Sequence, residues 1–357
     1  MPLRRAPRAL IIAACSTCAV VTPLAAQDSV IARASQLPEI HGFVQVQFRA
    51  NDPTTKDGFR LRKADLKFSG DISPRLRWRV GFDAAKALVV TTTAAANDSL
   101  ALGNAAIDQK SRILQDAALT YVVSKTLQFD VGQQIIPLSL EGTISTSQIE
   151  TVERTLFISE RSRAVGLGDV RDIGVSVNGV AATAVEYHLG LFNEAGDGAG
   201  TTDVNQQKTV VGRVVLHPSF VPNLRFGGSG AYQGGSVTQH RERGAGEVQY
   251  KDERLTLRSE VMSARDGLLH RFGWYGLGVL RPSTRVQLVA RYDAWDRDRT
   301  HEKTLSDAFQ RQIVVGGSYL LDGTNAKFAL NVVNQAFPNI TTVRSSTFLL
   351  AAFQGLW

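Results

Sequence analysis

The segment Leu76–Asp83, LRWRVGFD, alternates without a slip: Leu76, Trp78, Val80 and Phe82 fall on one face of an extended chain, and Arg77, Arg79, Gly81 and Asp83 on the other. Successive side chains of a strand point to opposite faces, so this segment must lie between an apolar and a polar surrounding. The pattern recurs. IHGFVQVQFRA sets Gly42, Val44, Val46 and Phe48 against His41, Gln45, Gln47 and Arg49, and KADLKFSG sets Ala64, Leu66 and Phe68 against Lys63, Asp65 and Lys67. Thirteen further segments, from ILQDAALTYVV to TFLLAAFQGLW, continue it, with the phase unclear in RFGWYGLGVL and IVVGGSYLL. The total is sixteen strands, each roughly 8 to 12 residues long, which is enough to cross a bilayer at a tilt.

The connections alternate in length, which is an independent signal. Short ones lie near Ser73–Pro74, Ser124–Lys125, Val180–Ala182, Pro218–Pro222, Asp252–Glu253, Pro282–Ser283 and Asp322–Thr324. Longer ones occupy Asn51–Gly58, Ala85–Arg112, Ile136–Val170, Asn193–Gln207, Gln233–His240, Ala264–His270, Asp296–Ala308 and Ala336–Ser345. Short turns at one end and long loops at the other, on an even number of antiparallel strands, describe a transmembrane β-barrel. A soluble sandwich also alternates, but gives no reason for short and long connections to take turns, and at this length it usually splits into domains.

The address agrees. Arg4, Arg5 and Arg8 precede an apolar run from Ala9 to Val21, and small residues end at Ala25 and Ala26. This is the pattern of a secretory signal peptide, 1–26, cleaved after Ala26. A short N-terminal segment, 27–39, and a barrel over 40–357 follow. Cys15 and Cys18 both fall in the leader, so the exported chain is expected to have no disulfide and no cysteine chemistry. The leader holds three Arg and no acid, so the net charge falls from +7 to about +4. That excess is too small to argue for nucleic acid.

FRLRKADLKFSGDISPRLRWRVGFD resembles the second and third strands of the phosphate-selective porin O/P family. VGQQIIPLSLEGTISTSQIETVERTL is similar to that family's long third loop with its flanking strand, and RDIGVSVNG, YHLGLFNEAG and VVGRVVLHP to the strands that follow. The likeness runs from about His41 to Trp357 and is clearest up to Pro218. It implies an all-β, sixteen-stranded antiparallel barrel in the bacterial outer membrane, commonly a trimer, whose third loop (about 136–170) folds inward and narrows the pore. Phosphate-selective members place lysines in that loop and an arginine ladder along the wall. Between Gln133 and Arg154 this chain has no lysine; Gly142 and Ser147 stand where the lysines would.

In a barrel the polar face of each strand lines the lumen. Inward cations are then Arg49, Lys63, Lys67, Arg77, Arg79, Arg213, Arg225, Arg258, Arg285 and Arg291. Facing them are Asp65, Asp83, Asp116, Asp130, Asp172, Glu186, Glu247, Glu260 and Asp293. Charge rows in a pore set ion selectivity. Lys63, Lys67, Arg77, Arg79, Arg213 and Arg225 are therefore candidate anion-binding residues, although each could equally pair with a wall carboxylate. The candidate constriction carries Pro137, Glu141, Glu153 and Arg154, of which Glu153 and Arg154 could also pin the loop to the wall.

The function this implies is a passive outer-membrane pore for small hydrophilic solutes, preferring anions such as phosphate, with outer-membrane lipid and copies of itself as partners. The six histidines show no metal-ligand spacing, so neither metal nor cofactor is expected. NEAGDGAGTTD lacks the strand-to-helix setting of a phosphate cradle, and GGSGAYQGG the spacing of a nucleophile elbow. Asp293, Asp296 and Asp298 could offer oxygens to calcium, but Arg297 and Arg299 interleave them. The alternatives are a barrel hydrolase and a closed structural or adhesive barrel.

Overall fold

In the computed structural model the described residues are 37–52, 56–86, 92–94, 100–102, 113–158, 170–182, 184–193, 207–236, 240–299, 309–338 and 345–357. The expected leader lies outside them. Sixteen strands close into one antiparallel barrel. They are β1 (Glu39–Ala50), β2 (Gly58–Ser73), β3 (Leu76–Asp83), β4 (Leu114–Ser124), β5 (Leu127–Ile135), β6 (Arg171–Ala181), β7 (Val185–Phe192) and β8 (Thr209–Leu216). The second half comprises β9 (Leu224–Gln233), β10 (Arg241–Lys251), β11 (Leu255–Asp266), β12 (Leu269–Ser283), β13 (Val286–Asp296), β14 (Phe309–Asp322), β15 (Ala326–Ala336) and β16 (Ser345–Leu356). Each strand pairs with its neighbours in sequence, and β1 closes on β16 through Phe43↔Leu356 to Ala50↔Leu349. Closure removes the two edges an open sheet would leave. Residues 92–94 and 100–102 form a separate small hairpin.

Alternation decides the faces. Leu119, Tyr121, Phe129, Val131, Leu189, Leu191, Leu288, Val315, Phe328 and Phe353 are exposed on the outside. Their neighbours one residue away, such as Asp130, Gln287, Lys327 and Gln354, are buried on the inside. An apolar exterior around a polar interior is the reverse of a soluble protein, and it is stable only where lipid replaces water outside. On β3, Phe82 is exposed while Asp83 is wholly buried, as the alternation of LRWRVGFD requires.

Three local features differ from the sequence expectation. The Ala264–His270 connection is not a long loop: β11 and β12 are joined by Gly267 and Leu268 alone, with Gly267 at φ 61°, a left-handed value that suits glycine. Arg285 is not on the wall; it sits in the turn after β12, where its backbone N–H donates to Ser283 Oγ at 3.4 Å. The pairing of β1 with β2 shifts between Gln45 and Val46, so that Gln45 faces Lys63 while Val46 faces Leu61. Arg62 is thus an extra residue in a β-bulge, and the alternation of β2 changes phase there.

Gly316 on β14 shows how tightly the sheet closes: a Cβ there would lie 2.0 Å from the Leu330 carbonyl oxygen on β15. Gly316→Ala is expected to cost about 1–3 kcal/mol through overpacking. It should lower the temperature at which the barrel unfolds in a heat-shift gel assay, whereas Gly276→Ala, with no atom within 4 Å of its Cβ, should not.

Candidate functional site

The inward face is not polar all the way round. On β11–β13 it presents Met262, Ala264, Tyr275, Leu277, Val279, Val289 and Trp295, all buried in one cluster with Ile136, Leu138, Phe157 and Ile158 of the segment after β5. On β14–β16 it presents Val314, Ala329, Val333, Phe348, Leu350 and Ala352, clustered with Val152 of the same segment. An apolar wall facing a water-filled lumen would be costly, and residues 136–158 cover it. Fully burying one side chain such as Phe157 is worth about 1.5–3 kcal/mol. Gly273 makes room for it, since a Cβ there would meet the Phe157 ring at 2.7 Å and Trp295 at 2.8 Å.

Polar side chains from across the barrel fix the segment's backbone. Glu260 on β11 accepts from the amides of Leu140 and Glu141, each at 3.2 Å, where a short helix, Leu140–Thr143, begins. Ser139 caps that helix by accepting from Gly142 N at 3.0 Å. Arg258 meets Glu150 in a buried bidentate pair, both bonds 3.1 Å. Arg291 donates to Thr151 Oγ1 and the Glu153 carbonyl at 2.7 Å and to the Arg154 carbonyl at 3.2 Å. Lys327 donates to the Ile149 carbonyl at 2.6 Å, and Gln354 to that of Ser147 at 2.9 Å. The Val152 amide donates to Asn331 Oδ1 at 2.7 Å. Apart from the side-chain contacts to Glu150 and Thr151 Oγ1, each satisfies a backbone group that would otherwise be buried without a partner.

The four loop residues singled out in the sequence occupy different parts of this seat. Pro137 is buried beside Ile136 and Leu138. Glu141 is turned inward, its Oε1 accepting from the Thr155 amide at 2.8 Å. Arg154 ties the segment to itself, donating to the Glu141 carbonyl, to Ile144 O at 2.6 Å and to Thr146 Oγ1 at 3.4 Å. The Glu153 side chain reaches the wall, where Arg60 binds it directly, Arg62 lies at 3.5 Å and Arg49 at 4.0 Å. Burial pushes the Glu153 carboxyl up, but Arg62, Arg60 and Arg49 outweigh it and hold it below its ordinary 4.5.

The wall cations are mostly paired. Lys63 is buried against Asp83 at 2.9 Å, Arg79 meets Asp130 at 3.1 Å, and Arg213 meets Glu247 at 2.5 Å. Arg77 pairs with Asp71 at 3.2 Å in an exposed position near the turn end. Arg225 donates to Gln249 at 2.9 Å, with its Nε buried and unpartnered. Lys67 is exposed. The six therefore do not form one continuous row: Arg213 and Arg225 lie on β8 and β9, away from the β2–β3 group. Sequence reasoning missed Arg60 and Arg62 because the bulge puts them on the same face as Lys63; the adjacent cations Arg62–Lys63 were the available sign of a phase slip.

Open space runs beside the segment. At the long-loop end, a cavity of about 210 Å³ lies between Glu153 and Arg154 of the segment, Arg49 of β1 and the β13–β16 wall, with Arg291, Val314, Asn331, Val333 and Phe348 in its lining. It shares Arg154 with one of about 390 Å³, between Thr143–Thr146 and the Lys63, Lys67, Arg79 and Arg171 wall. That in turn shares Ser69 and Arg79 with one of about 730 Å³, which reaches Arg77 and Asp71 near the turn end.

The model of phosphate-selective porin O and P matches residues 38–261. The chain belongs to that family. As a porin, it is a channel of the outer membrane. Solved porins share its fold at low identity. The anion-selective porin from Comamonas acidovorans superposes with a TM-score of 0.58 at 10% identity, covering 90% of this chain and 99% of its own. The outer-membrane channel DcaP of Acinetobacter baumannii gives 0.56 at 12%, covering 89% and 96%. The trimer form of OmpT from Vibrio cholerae gives 0.56 at 10%, covering 90% and 99%. No curated protein matches the sequence.

Removing Glu150 leaves Arg258 charged and buried with Gln249 but no carboxylate beside it, a loss of about 3–5 kcal/mol for such pairs. Glu150→Ala should therefore speed amide hydrogen exchange at 147–153 in the detergent-solubilised porin, and pairing it with Arg258→Met should slow exchange again. Glu153 sets a pH dependence of known sign. Its folded value is depressed, so its contribution is complete above 4.5 and is lost as pH falls through the folded value. Exchange at 151–155 should accelerate on acidification below that pH, and less so in Glu153→Gln.

Proposed function

We propose that this porin is a passive pore for small hydrophilic solutes, in which residues 136–158 narrow the lumen to a crescent that follows β1–β6 and passes β13–β16 at the long-loop end, with a weak preference for anions. The observation that carries the reading is a succession of three cavities with shared lining residues, Arg154 between the first two and Ser69 and Arg79 between the last two. Solutes in so narrow a passage exchange part of their hydration for wall groups.

Charge along the crescent supports a bias for anions as a class. Lys63, Lys67, Arg79, Arg154 and Arg171 line the middle cavity with Asp65 and Asp116. Asp83 and Asp130 pair with two of those cations, so the excess is small. The loop side offers Thr143, Ser145, Thr146 and the Arg154 guanidinium, so a phosphate finds no lysine set there. A homo-trimer is proposed from OmpT, whose structure is of a trimer form. Lipid contact is proposed from the apolar exterior.

The test is single-channel recording in planar bilayers with the reversal potential measured across a salt gradient. Discrete steps and a reversal potential on the anion side are expected; absence of steps would favour a closed structural barrel. Arg79→Ala should move the permeability ratio toward one. Arg77→Ala should move it less, because an exposed pair near the mouth is screened by salt. Unchanged ratios in both variants would assign these arginines to wall solvation.

A further inference from the structure

Resting on the pore reading, we infer that the middle of the crescent is a binding station for zwitterionic solutes, molecules carrying an ammonium and a carboxylate a few bonds apart, such as short peptides. Three observations meet there. First, the carboxylates Asp83, Asp116 and Asp130 around this cavity are held by Lys63, Arg171 and Arg79 at 2.9, 3.2 and 3.1 Å. Asp65 differs: its Oδ1 is buried with no hydrogen-bond partner. A carboxylate with one oxygen withdrawn from water and unmatched by a donor gains from a donor on the side it presents to the cavity, which a ligand ammonium would supply.

Second, Lys67 is exposed two residues along the same strand, so both side chains project to the same face, about 7 Å apart along β2. Asp65 and Lys67 line both the 390 Å³ cavity and an adjoining one of about 420 Å³. A solute bridging them presents its ammonium to one and its carboxylate to the other.

Third, hydroxyl groups stand across the gap. Ser145 lines both cavities, Thr143 and Thr146 the first and Ser147 the second. Hydroxyls both donate and accept, so they can bind either pole, or the amide between the poles, without favouring one net charge. A carboxylate and a lysine share one wall here, and the loop side presents hydroxyls beside Arg154, whose guanidinium already donates to the Glu141 and Ile144 carbonyls.

The experiment records current interruptions through single channels with three probes of nearly equal size: glycylglycine, which has both charges, N-acetylglycine, which has the carboxylate alone, and glycylglycinamide, which has the ammonium alone. The expected result is concentration-dependent interruption by glycylglycine at concentrations about tenfold below those needed for either single-charge probe, the worth of one charge-assisted hydrogen bond. Asp65→Asn should remove the advantage of glycylglycine over N-acetylglycine, and Lys67→Gln its advantage over glycylglycinamide. Heat-shift on gels verifies that both variants form barrels. Equal interruption by all three probes in the unaltered channel, or ratios unchanged in both variants, would overturn the station while leaving the pore intact. Absence of any conductance steps would overturn the pore reading itself.

Discussion

Everything inside this barrel depends on an apolar half-wall that water cannot be left to cover. Lipid outside dictates one greasy face on each of the sixteen strands. It says nothing of the other face. Over β11–β16 that second face carries two apolar clusters among its polar residues, and residues 136–158 lie on them with Phe157, Ile158 and Val152 buried. Because the wall is two-faced in its chemistry, one side of the barrel binds a loop and the other side can remain wet. The crescent we propose as the pore is what is left over.

The hydrogen bonds make that packing specific. Apolar contact alone would allow the segment to slide, whereas Arg291, Lys327, Asn331 and Gln354 each bind a chosen backbone group. Charge lies where it fixes geometry: Glu150 within the wall's reach, Glu153 among three arginines, Glu260 against two amides. Buried carboxylates held this way are costly to break singly and contribute little as loose pairs. The same logic explains why most wall arginines do not stand free as anion ligands. Their first task is to neutralise a neighbouring carboxylate.

Much of the barrel was legible in the sequence because lipid enforces a period of two. LRWRVGFD, IHGFVQVQFRA and TFLLAAFQGLW each place their outer faces as the alternation requires. The segments with unclear phase, RFGWYGLGVL and IVVGGSYLL, belong to β12 and β14, whose inward Tyr275, Leu277, Val279 and Val314 contact the covering segment. Both faces being apolar, hydropathy carries no phase there. The bulge at Arg62 hid Arg60 and Arg62 in the same way, since a one-residue insertion exchanges the faces beyond it. The partners of Glu150 and Glu153 were not readable, because they come from strands a hundred residues away in the chain.

The most direct test of this division is thiol accessibility. With Cys15 and Cys18 absent, single cysteines replace Ser145 or Thr146, which face the crescent, and Val152 or Leu140, which face the half-wall. The rate of reaction with a charged, water-soluble methanethiosulfonate is read from the fall in conductance and by mass. The account predicts rapid modification and a reduced current at 145 and 146, with slow modification at 140 and 152. Equal rates at all four positions would contradict it.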